Sequence, residues 1–278
     1  MMTKDIIVKS NHLIEASYYL TLNEQRVILL AIAQIYRKEG IQMTDLFRVC
    51  ARDFAKQFDL KLDGVYQELI KVTDKLYERS IIINQPDPNN PKLKKTKTRW
   101  ISSISYMPDD GVLLLSFAQA VIPYLTLLQK EFTQYKLAFV SQMSSIYAIR
   151  LYELLKQWGN IGKREVSLEW LKRQFEIDNK YDTLFNFKTR VLEPALTQIN
   201  AHSDLQVSYT QRKTGRVVTH FTFVFSLKAA IKPKGSIKKK RPVGATINGV
   251  LKADIERLAR AGESYEQAAE RIKRQEVA

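Results

Sequence analysis

Cysteine and long hydrophobic runs are nearly absent from this chain of 278 residues. The single cysteine, Cys50, cannot form an internal disulfide or a cysteine-based metal site, and such usage is typical of a reducing cytoplasm. The longest continuous apolar run, at residues 27–33, is far shorter than the roughly 20 residues that span a bilayer. The first ten residues include Asp5 and lack the apolar segment of a signal peptide. These absences predict a cytoplasmic protein that does not cross a membrane.

The sequence also lacks the motifs of several enzyme classes. Residues 159–163 are the nearest approach to a GxxxxGK[ST] phosphate loop, and their spacing is wrong for one. The three histidines lie far apart in the sequence, so they do not form the paired-histidine metal site that a rolling-circle nicking enzyme needs. The adjacent Tyr18 and Tyr19 fit packing or solvent exposure better than attack on a phosphate. We therefore predict a protein without enzymatic activity, cofactor or metal.

Acidic residues are heavily outnumbered by basic ones. The chain has 44 Lys and Arg against 29 Asp and Glu, which gives a formal net charge of +15 at neutral pH. So basic a chain is expected to bind a polyanion, most simply nucleic acid. An anionic membrane surface is the competing interpretation, but the basic residues do not lie on an amphipathic helix rich in Trp or Phe.

Residues 181–200 have the pattern of an amphipathic helix that could read DNA bases. Apolar residues at positions 187, 191, 195 and 199, flanked by those at 192 and 196, form one stripe that can pack on a core. The candidate base-reading side chains are Asn186, Lys188, Thr189, Arg190 and Glu193. Arg and Lys reach guanine O6 and N7 in the major groove, and Asn pairs with adenine. Lys188 fits less well, since its helical phase is close to the apolar stripe. The alternative is an ordinary amphipathic helix with a solvated charged face.

A second feature of the same helix is Pro194, which lacks an amide hydrogen. We expect it to remove one helix hydrogen bond and to kink the helix just past its reading end.

The chain contains an internal repeat. Residues 49–60 align with residues 166–177 without a gap, and each segment lies in the same order of helix, strand, two helices and hairpin. The repeat predicts an α+β fold of two tandem winged-helix domains followed by a basic C-terminal tail. We place the N-terminal domain at 1–130, the C-terminal domain at 131–228, and a basic linker with a short helical tail at 229–278.

Local signals place the elements of the first domain. Residues 21–24 form a capping box that begins a helix ending near residue 37, and a single strand is expected at 98–105. The helix expected at 63–79 is the counterpart of the helix at 181–200. Its outward-facing residues are weaker DNA-binding candidates, namely Gln67, Lys71 and Lys75.

Two basic clusters are predicted to meet DNA phosphates at the hairpin wings of the two domains. The second-domain cluster is at the tip of a hairpin built from strands 205–210 and 217–227, and it consists of Arg212, Lys213 and Arg216. The first-domain cluster is in a strand-to-strand connection and includes Lys94, Lys95 and Lys97. Such contacts supply affinity and register rather than sequence choice. The alternative for either cluster is a solubilising loop.

Three blocks of the sequence closely resemble one known family. They are IIVKSNHLIEASYYLTLNEQRVILLAI at 6–32, SSIYAIRLYELLKQW at 144–158, and FKTRVLEPALTQIN at 187–200, which is followed by the basic hairpin. In this order they resemble the replication initiator (Rep) proteins of iteron-controlled, theta-replicating bacterial plasmids, the RepB/RepE-like group. The resemblance extends over about residues 6–228.

The resemblance implies a function as well as a fold. Such initiators have two winged-helix domains, and their monomers bind direct repeats (iterons) at the plasmid origin and help to open the duplex. They recruit the host initiator DnaA and the replicative helicase, while dimers formed through the N-terminal domain, in equilibrium with monomers, often repress the initiator's own promoter. The family's main base-reading helix is in the C-terminal domain, which makes Lys188 and Arg190 the leading base readers. Two domains on one face of the duplex would cover about 20 base pairs.

Two other functions stay open at this point. A winged-helix transcriptional repressor with no role in replication would bind an inverted repeat as a dimer, whereas an initiator binds direct repeats. A nicking enzyme would relax or nick supercoiled DNA in the presence of a divalent metal.

Overall fold

The computed structural model places most of the chain in two compact units. The described residues are 5–35, 41–84, 92–126, 131–228, 246–248, 250–251, 255, 258 and 263–275. The first unit is Met1–Lys228 and the second is Ala229–Ala278. Both halves of the sequence repeat therefore lie in the first unit.

The N-terminal half of the first unit alternates short strands with three longer helices. Its elements are β1 (Ile6–Ser10), α1 (Asn11–Ile14), β2 (Ser17–Tyr18), α2 (Leu22–Ile35), β3 (Phe47–Cys50), α3 (Ala51–Phe58), α4 (Leu62–Leu76), β4 (Ser80–Asn84), β5 (Lys95–Arg99), β6 (Ile101–Met107) and β7 (Val112–Phe117). Helix α2 begins with the predicted capping box, in which the Thr21 amide donates to Glu24 Oε2 at 2.7 Å and the Glu24 amide donates to Thr21 Oγ1 at 3.4 Å. The predicted end of this helix at residue 37 lies outside the described residues.

The prediction of one strand at 98–105 is wrong, because the chain changes sheets at Trp100. Strand β5 belongs to the sheet β2–β4–β5, whereas β6 belongs to the sheet β3–β7–β6. The Trp100 side chain is fully buried between them and packs edge-to-face on Tyr18, with ring centroids 4.8 Å apart. Tyr18 is distant in sequence, so a local pattern could not reveal the contact that divides the strand.

The C-terminal half of the first unit repeats the same order. Its elements are β8 (Phe132–Lys136), α5 (Ala138–Ser141), α6 (Ile146–Lys156), β9 (Lys163–Ser167), α7 (Leu168–Gln174), α8 (Leu184–Phe187), a π turn (Lys188–Leu192), α9 (Glu193–His202), β10 (Leu205–Thr214) and β11 (Val217–Leu227). The antiparallel sheet has the order β10–β11–β9, and alternate β11 residues Phe221, Phe223 and Phe225 are buried. Ser167 caps α7, since its Oγ accepts from the Trp170 amide at 3.0 Å.

The internal repeat is confirmed in backbone conformation. Strand β3 and helix α3 correspond to β9 and α7, and the aligned Phe58 and Phe175 are both buried at the helix ends. The next residues, Asp59 and Glu176, both adopt the left-handed conformation, with φ of 52° and 50°. This conformation is uncommon for residues other than glycine, so its recurrence at aligned positions identifies the same structural unit.

The two halves share one hydrophobic core and a buried polar junction. Strand β1 pairs antiparallel with β8, which joins the start of the first half to the start of the second. Lys9 Nζ lies 2.7 Å from Glu153 Oε1, and both side chains are buried. The buried Arg150 guanidinium donates to the carbonyls of Ile14 and Ala16 at 3.0 and 2.8 Å. The halves are therefore joined through buried charged groups, although Arg150 Nε and Glu153 Oε2 form no hydrogen bond within the described residues.

The second unit is small and only partly described. Strands β12 (Thr246–Ile247) and β13 (Val250–Leu251) form a hairpin, and the chain also contains a helix, Tyr265–Gln275. Ile255, Ala268, Ala269 and Ile272 are buried together. The described part of the predicted helical tail thus contains a hairpin as well as a helix, and the predicted basic linker lies outside the described residues.

Candidate nucleic-acid interface

The candidate reading helix begins later than the sequence predicts. Tyr181 has φ of 56° and is not helical, and helix α8 starts at Leu184. Thr183 is the N-cap, and its Oγ1 accepts from the Asn186 amide at 3.2 Å. The first helical turn is therefore residues 184–187.

The predicted kink at Pro194 takes another form and another position. Instead of bending past the reading end, the helix contains the π turn Lys188–Leu192 within the reading segment, so the predicted position is wrong. The Glu193 amide donates to the Lys188 carbonyl, five residues earlier. The wider turn accommodates the proline, which has no amide hydrogen and whose ring would clash with an ordinary helical turn.

The apolar stripe of this helix packs into the core as predicted. Phe187, Val191, Leu192, Ala195, Leu196 and Ile199 are all buried. Phe187 stacks on Phe221 of β11, with ring centroids 6.1 Å apart. The sheet therefore fixes the orientation of the helix and of the side chains on its outer face.

The candidate base readers differ in how free they are. Thr189, Arg190 and Glu193 are exposed, and within the described residues the Arg190 guanidinium has no ion-pair partner. Lys188 is half-buried, with Nζ 3.8 Å from Glu193 Oε1 and 5.7 Å from the centroid of the Tyr209 ring. The half-buried Asn186 is on the first turn. Arg190 is thus the reader with the most freedom to reach a base.

The second-domain hairpin is longer than predicted, and this separates its three basic residues. Strand β10 extends to Thr214, so the turn consists of Gly215, with φ of 61°, and Arg216. Lys213 and Arg216 are exposed at this end, as the wing prediction requires. Arg212 is paired across from His220 on the strand, just before a β-bulge, and so its predicted place at the tip is wrong.

Arg212 is also held by a carboxylate. Its Nη2 and Nε lie 2.9 and 3.0 Å from Glu165 Oε1 on β9, and Glu165 Oε2 accepts from the Thr222 hydroxyl at 2.9 Å. The bonds from Thr222 and Arg212 lower the pKa of the Glu165 carboxyl below its usual value. Arg212 therefore presents less free positive charge to a phosphate than Lys213 does.

Helix α4 in the first domain presents its candidates as predicted, although it ends at Leu76 rather than at residue 79. The exposed residues are Gln67, Lys71 and Lys75. Beyond the helix, the Arg79 guanidinium turns inward to both carboxylate oxygens of Glu24, at 2.9 and 3.0 Å. The helix ends early because the amides of Glu78 and Arg79 donate to carbonyls three residues earlier, both at 3.1 Å, which tightens the last turn.

The first-domain cluster does not lie on a wing, and that prediction is wrong. Lys95 and Lys97 are on β5, and Lys94 immediately precedes it, so the cluster belongs to the hairpin β4–β5. The counterpart of the second-domain wing is the hairpin β6–β7, because it pairs with β3 as β10–β11 pairs with β9. Its turn carries Asp109 and Asp110. Sequence order alone could not separate the two hairpins, since the division at Trp100 depends on tertiary packing.

The β4–β5 hairpin lies beside the second domain. A cavity of about 660 Å³ separates them, lined by Asn84 and Lys95 on one side and by Arg173, Glu176 and Lys180 on the other. Basic residues of both domains thus line one cavity together with Glu176 and Asp178. The sequence did not predict that Arg173 and Lys180 lie at a surface shared by the two domains, and no local sequence pattern indicates this position.

The sequence-based prediction also missed the exposed position of Phe185. It lies on the first turn of the reading helix and its side chain is 75% exposed. Its helical phase could have indicated this exposure, because Phe185 lies two residues, or about 200° around the helix, from the buried Phe187.

Among the described residues, no group of three or more His, Cys, Asp or Glu side chains is arranged to hold a metal ion. Within the same residues, no helix has both the length and the hydropathy to cross a bilayer.

Comparisons with known proteins agree with this geometry. A family model described as "Initiator Replication protein, WH1" matches residues 6–156, and one described as "Initiator Rep protein, WH2" matches residues 167–225. The chain is 27% identical to the PI protein of Escherichia coli over 237 residues, which cover 74% of this chain and 77% of that protein. It is also 27% identical to a replication initiation protein of Escherichia coli over 221 residues, which cover 76% of this chain and 67% of that protein.

One similar solved structure contains DNA. The Pi initiator protein, crystallised in complex with iteron DNA, is similar to this chain with a TM-score of 0.69 and 25% sequence identity. The match covers 82% of this chain and 99% of that one.

Proposed function

Because the chain belongs to the Initiator Replication protein family, we propose that it is a plasmid replication initiator that binds iterons in double-stranded DNA. The observation that carries the proposal is the outer face of the helix at 184–202. It presents Arg190, Thr189 and Asn186 beside a wing that ends in Lys213 and Arg216. A similar chain crystallised in complex with iteron DNA supports the same assignment.

In this proposal the residues divide into base readers and phosphate contacts. Arg190 reads guanine in the major groove, with Asn186, Lys188, Thr189 and Glu193 as its neighbours. Phosphate contacts come from the wing and from the outer face of α4, and Lys94, Lys95 and Lys97 on the β4–β5 hairpin add to them. The shared core holds both domains against one face of the duplex, which supports a site of about 20 base pairs.

The proposal extends to the steps that follow binding. Bound monomers promote origin opening and recruit the host initiator DnaA and the replicative helicase in the bacterial cytoplasm. Homodimers formed through residues 1–130 repress the initiator's own gene, while residues 131–228 supply the main iteron-reading domain. The protein acts without a cofactor and without catalysis. Family membership supports these steps, and each can be tested separately.

Footprinting across the origin region of the replicon that encodes the chain tests the proposal. Protection of tandem repeats in the same orientation, about 20 base pairs each, is expected. Protection of a single inverted repeat would favour a transcriptional repressor, and protection without any sequence preference would contradict both functions.

A second experiment addresses catalysis. Supercoiled origin DNA incubated with the protein and Mg²⁺ is expected to stay supercoiled. A nicked product that disappears when the metal is chelated would contradict the non-enzymatic assignment.

A further inference from the structure

Phe185 is the most exposed large hydrophobic side chain among the described residues. It occupies the first turn of the helix at 184–202, where Thr183 caps the N-terminus. Leaving an aromatic ring in water forgoes the free energy that its burial would give. Its position therefore suggests that a ligand covers it.

The surroundings of Phe185 argue against a hydrophobic protein partner. On the helix at 184–202, all of which the structure describes, no other large hydrophobic side chain is exposed. Protein-binding surfaces present contiguous apolar patches, whereas this helix exposes a single aromatic ring. Thr189 is four residues on, next to it on the same helix face, and Arg190 follows.

Those neighbours are the candidate base readers, and the N-terminal residues of a recognition helix are the ones that reach base edges. The major groove offers one apolar group to such a residue, the C5-methyl of thymine. The aromatic ring can contact the methyl group of a thymine. The neighbouring arginine and threonine can form hydrogen bonds with the polar atoms beside that methyl group.

We propose that Phe185 is a specificity-determining residue that contacts a thymine methyl group in the bound repeat. The inference rests on the proposed function, because it requires the helix to enter the major groove. It adds to that function a prediction about the DNA, namely that each repeat contains a thymine at the position opposite the first helical turn.

The test begins with DNA selected by the protein itself. The full chain is used to enrich binding sites from a duplex library with a randomised segment, and each thymine of the resulting consensus is then replaced singly by deoxyuridine. Deoxyuridine retains the hydrogen-bonding groups of thymine and lacks only the methyl. Affinities are measured for the wild-type chain and for the Phe185→Ala, Phe185→Leu and Ile161→Ala variants.

Ile161 is the matched control because its side chain is 66% exposed and distant from the wing. The adjacent Gly162 carbonyl accepts from the Phe225 amide at 2.8 Å, which puts Ile161 near the end of β11 opposite the Gly215–Arg216 turn. Its replacement by Ala is expected to leave every affinity unchanged.

At one thymine position, deoxyuridine should weaken wild-type binding about fourfold, the factor that corresponds to ~0.8 kcal/mol for one buried carbon. The same replacement should not change the affinity of the Phe185→Ala variant. It should weaken binding by the Phe185→Leu variant by a smaller factor than binding by the wild type. If deoxyuridine affects Phe185→Ala as much as wild type at every position, the inference is wrong, although the proposed function stands. If the library yields no consensus, the proposed function fails, and the inference fails with it.

Discussion

At the scale of single residues, the surroundings of an arginine decide its function. Arg190 and Arg212 are both exposed and both near the proposed DNA surface. Arg212 is bound to Glu165, whereas Arg190 has no ion-pair partner among the described residues. Sequence pattern assigned both to DNA binding, and only the structure distinguishes the one whose charge is already compensated.

Replacing Arg190 by Ala should therefore reduce sequence discrimination. We expect a loss of roughly 1–3 kcal/mol on the preferred site and a relaxed preference at one base pair, because a bidentate contact to guanine is removed. Affinity measured on the preferred duplex and on its single-base variants tests this. A uniform loss on all duplexes would mean that Arg190 contacts phosphate instead.

Replacing Lys213 by Ala should have the opposite signature. Binding should weaken on all sequences alike, and the slope of log K against log salt concentration should become shallower by about one unit. Arg212→Ala is the matched comparison and should change the slope less, because Glu165 already neutralises that charge. Equal changes in slope for the two variants would contradict the assignment of Lys213 to the wing contact.

Glu68 provides a prediction about pH. Hydrogen bonds from Lys71 and from Asn23, at 2.8 Å each, lower the pKa of its carboxyl from the usual 4.5. A lowered folded-state pKa adds stability above the unfolded-state pKa and loses it as the pH falls through the folded-state value. Glu68→Gln should thus lower the melting temperature slightly at neutral pH, and the difference should vanish below the folded-state pKa. A difference that persists in acid would point to packing rather than charge.

At the scale of elements, sequence reasoning was accurate for two local signals. The capping box at 21–24 and the strand at 217–227 are confirmed with the predicted boundaries. Errors occurred where a distant contact decides the outcome, as with the division at Trp100. The π turn was also missed, because Pro194 indicates that the helix must depart from regular α-helical geometry but not at which residues.

The π turn has a consequence for DNA reading that can be tested. It sets the angle between the first helical turn and the residues that follow, and so it aims Arg190 relative to the buried stripe. Pro194→Ala restores an amide hydrogen and should allow an ordinary helix, which would shift the reading side chains. We expect weaker binding to the preferred site with little loss in thermal stability, measured by affinity and by circular dichroism. Unchanged affinity and base preference would show that the π turn does not matter for reading.

At the scale of the whole molecule, the internal repeat correctly predicted two winged-helix domains. The junction between them could not be predicted, because the Lys9–Glu153 pair and the contacts of Arg150 join residues far apart in sequence. Nor could the sequence show that the β4–β5 hairpin lies beside the second domain. The candidate residues of the second domain stay a prediction, and those of the first-domain cluster were assigned to the wrong hairpin.

Iteron recognition can be tested by duplex binding of the wild-type chain across a salt series, on its own origin repeat and on a scrambled sequence. At near-physiological salt we expect the repeat to bind at least about 10³-fold more tightly, as specific DNA-binding proteins do. Equal affinities for the two duplexes, both lost as salt rises from about 50 to 200 mM, would contradict the account. The helix at 184–202 would then be an ordinary surface helix on a basic protein.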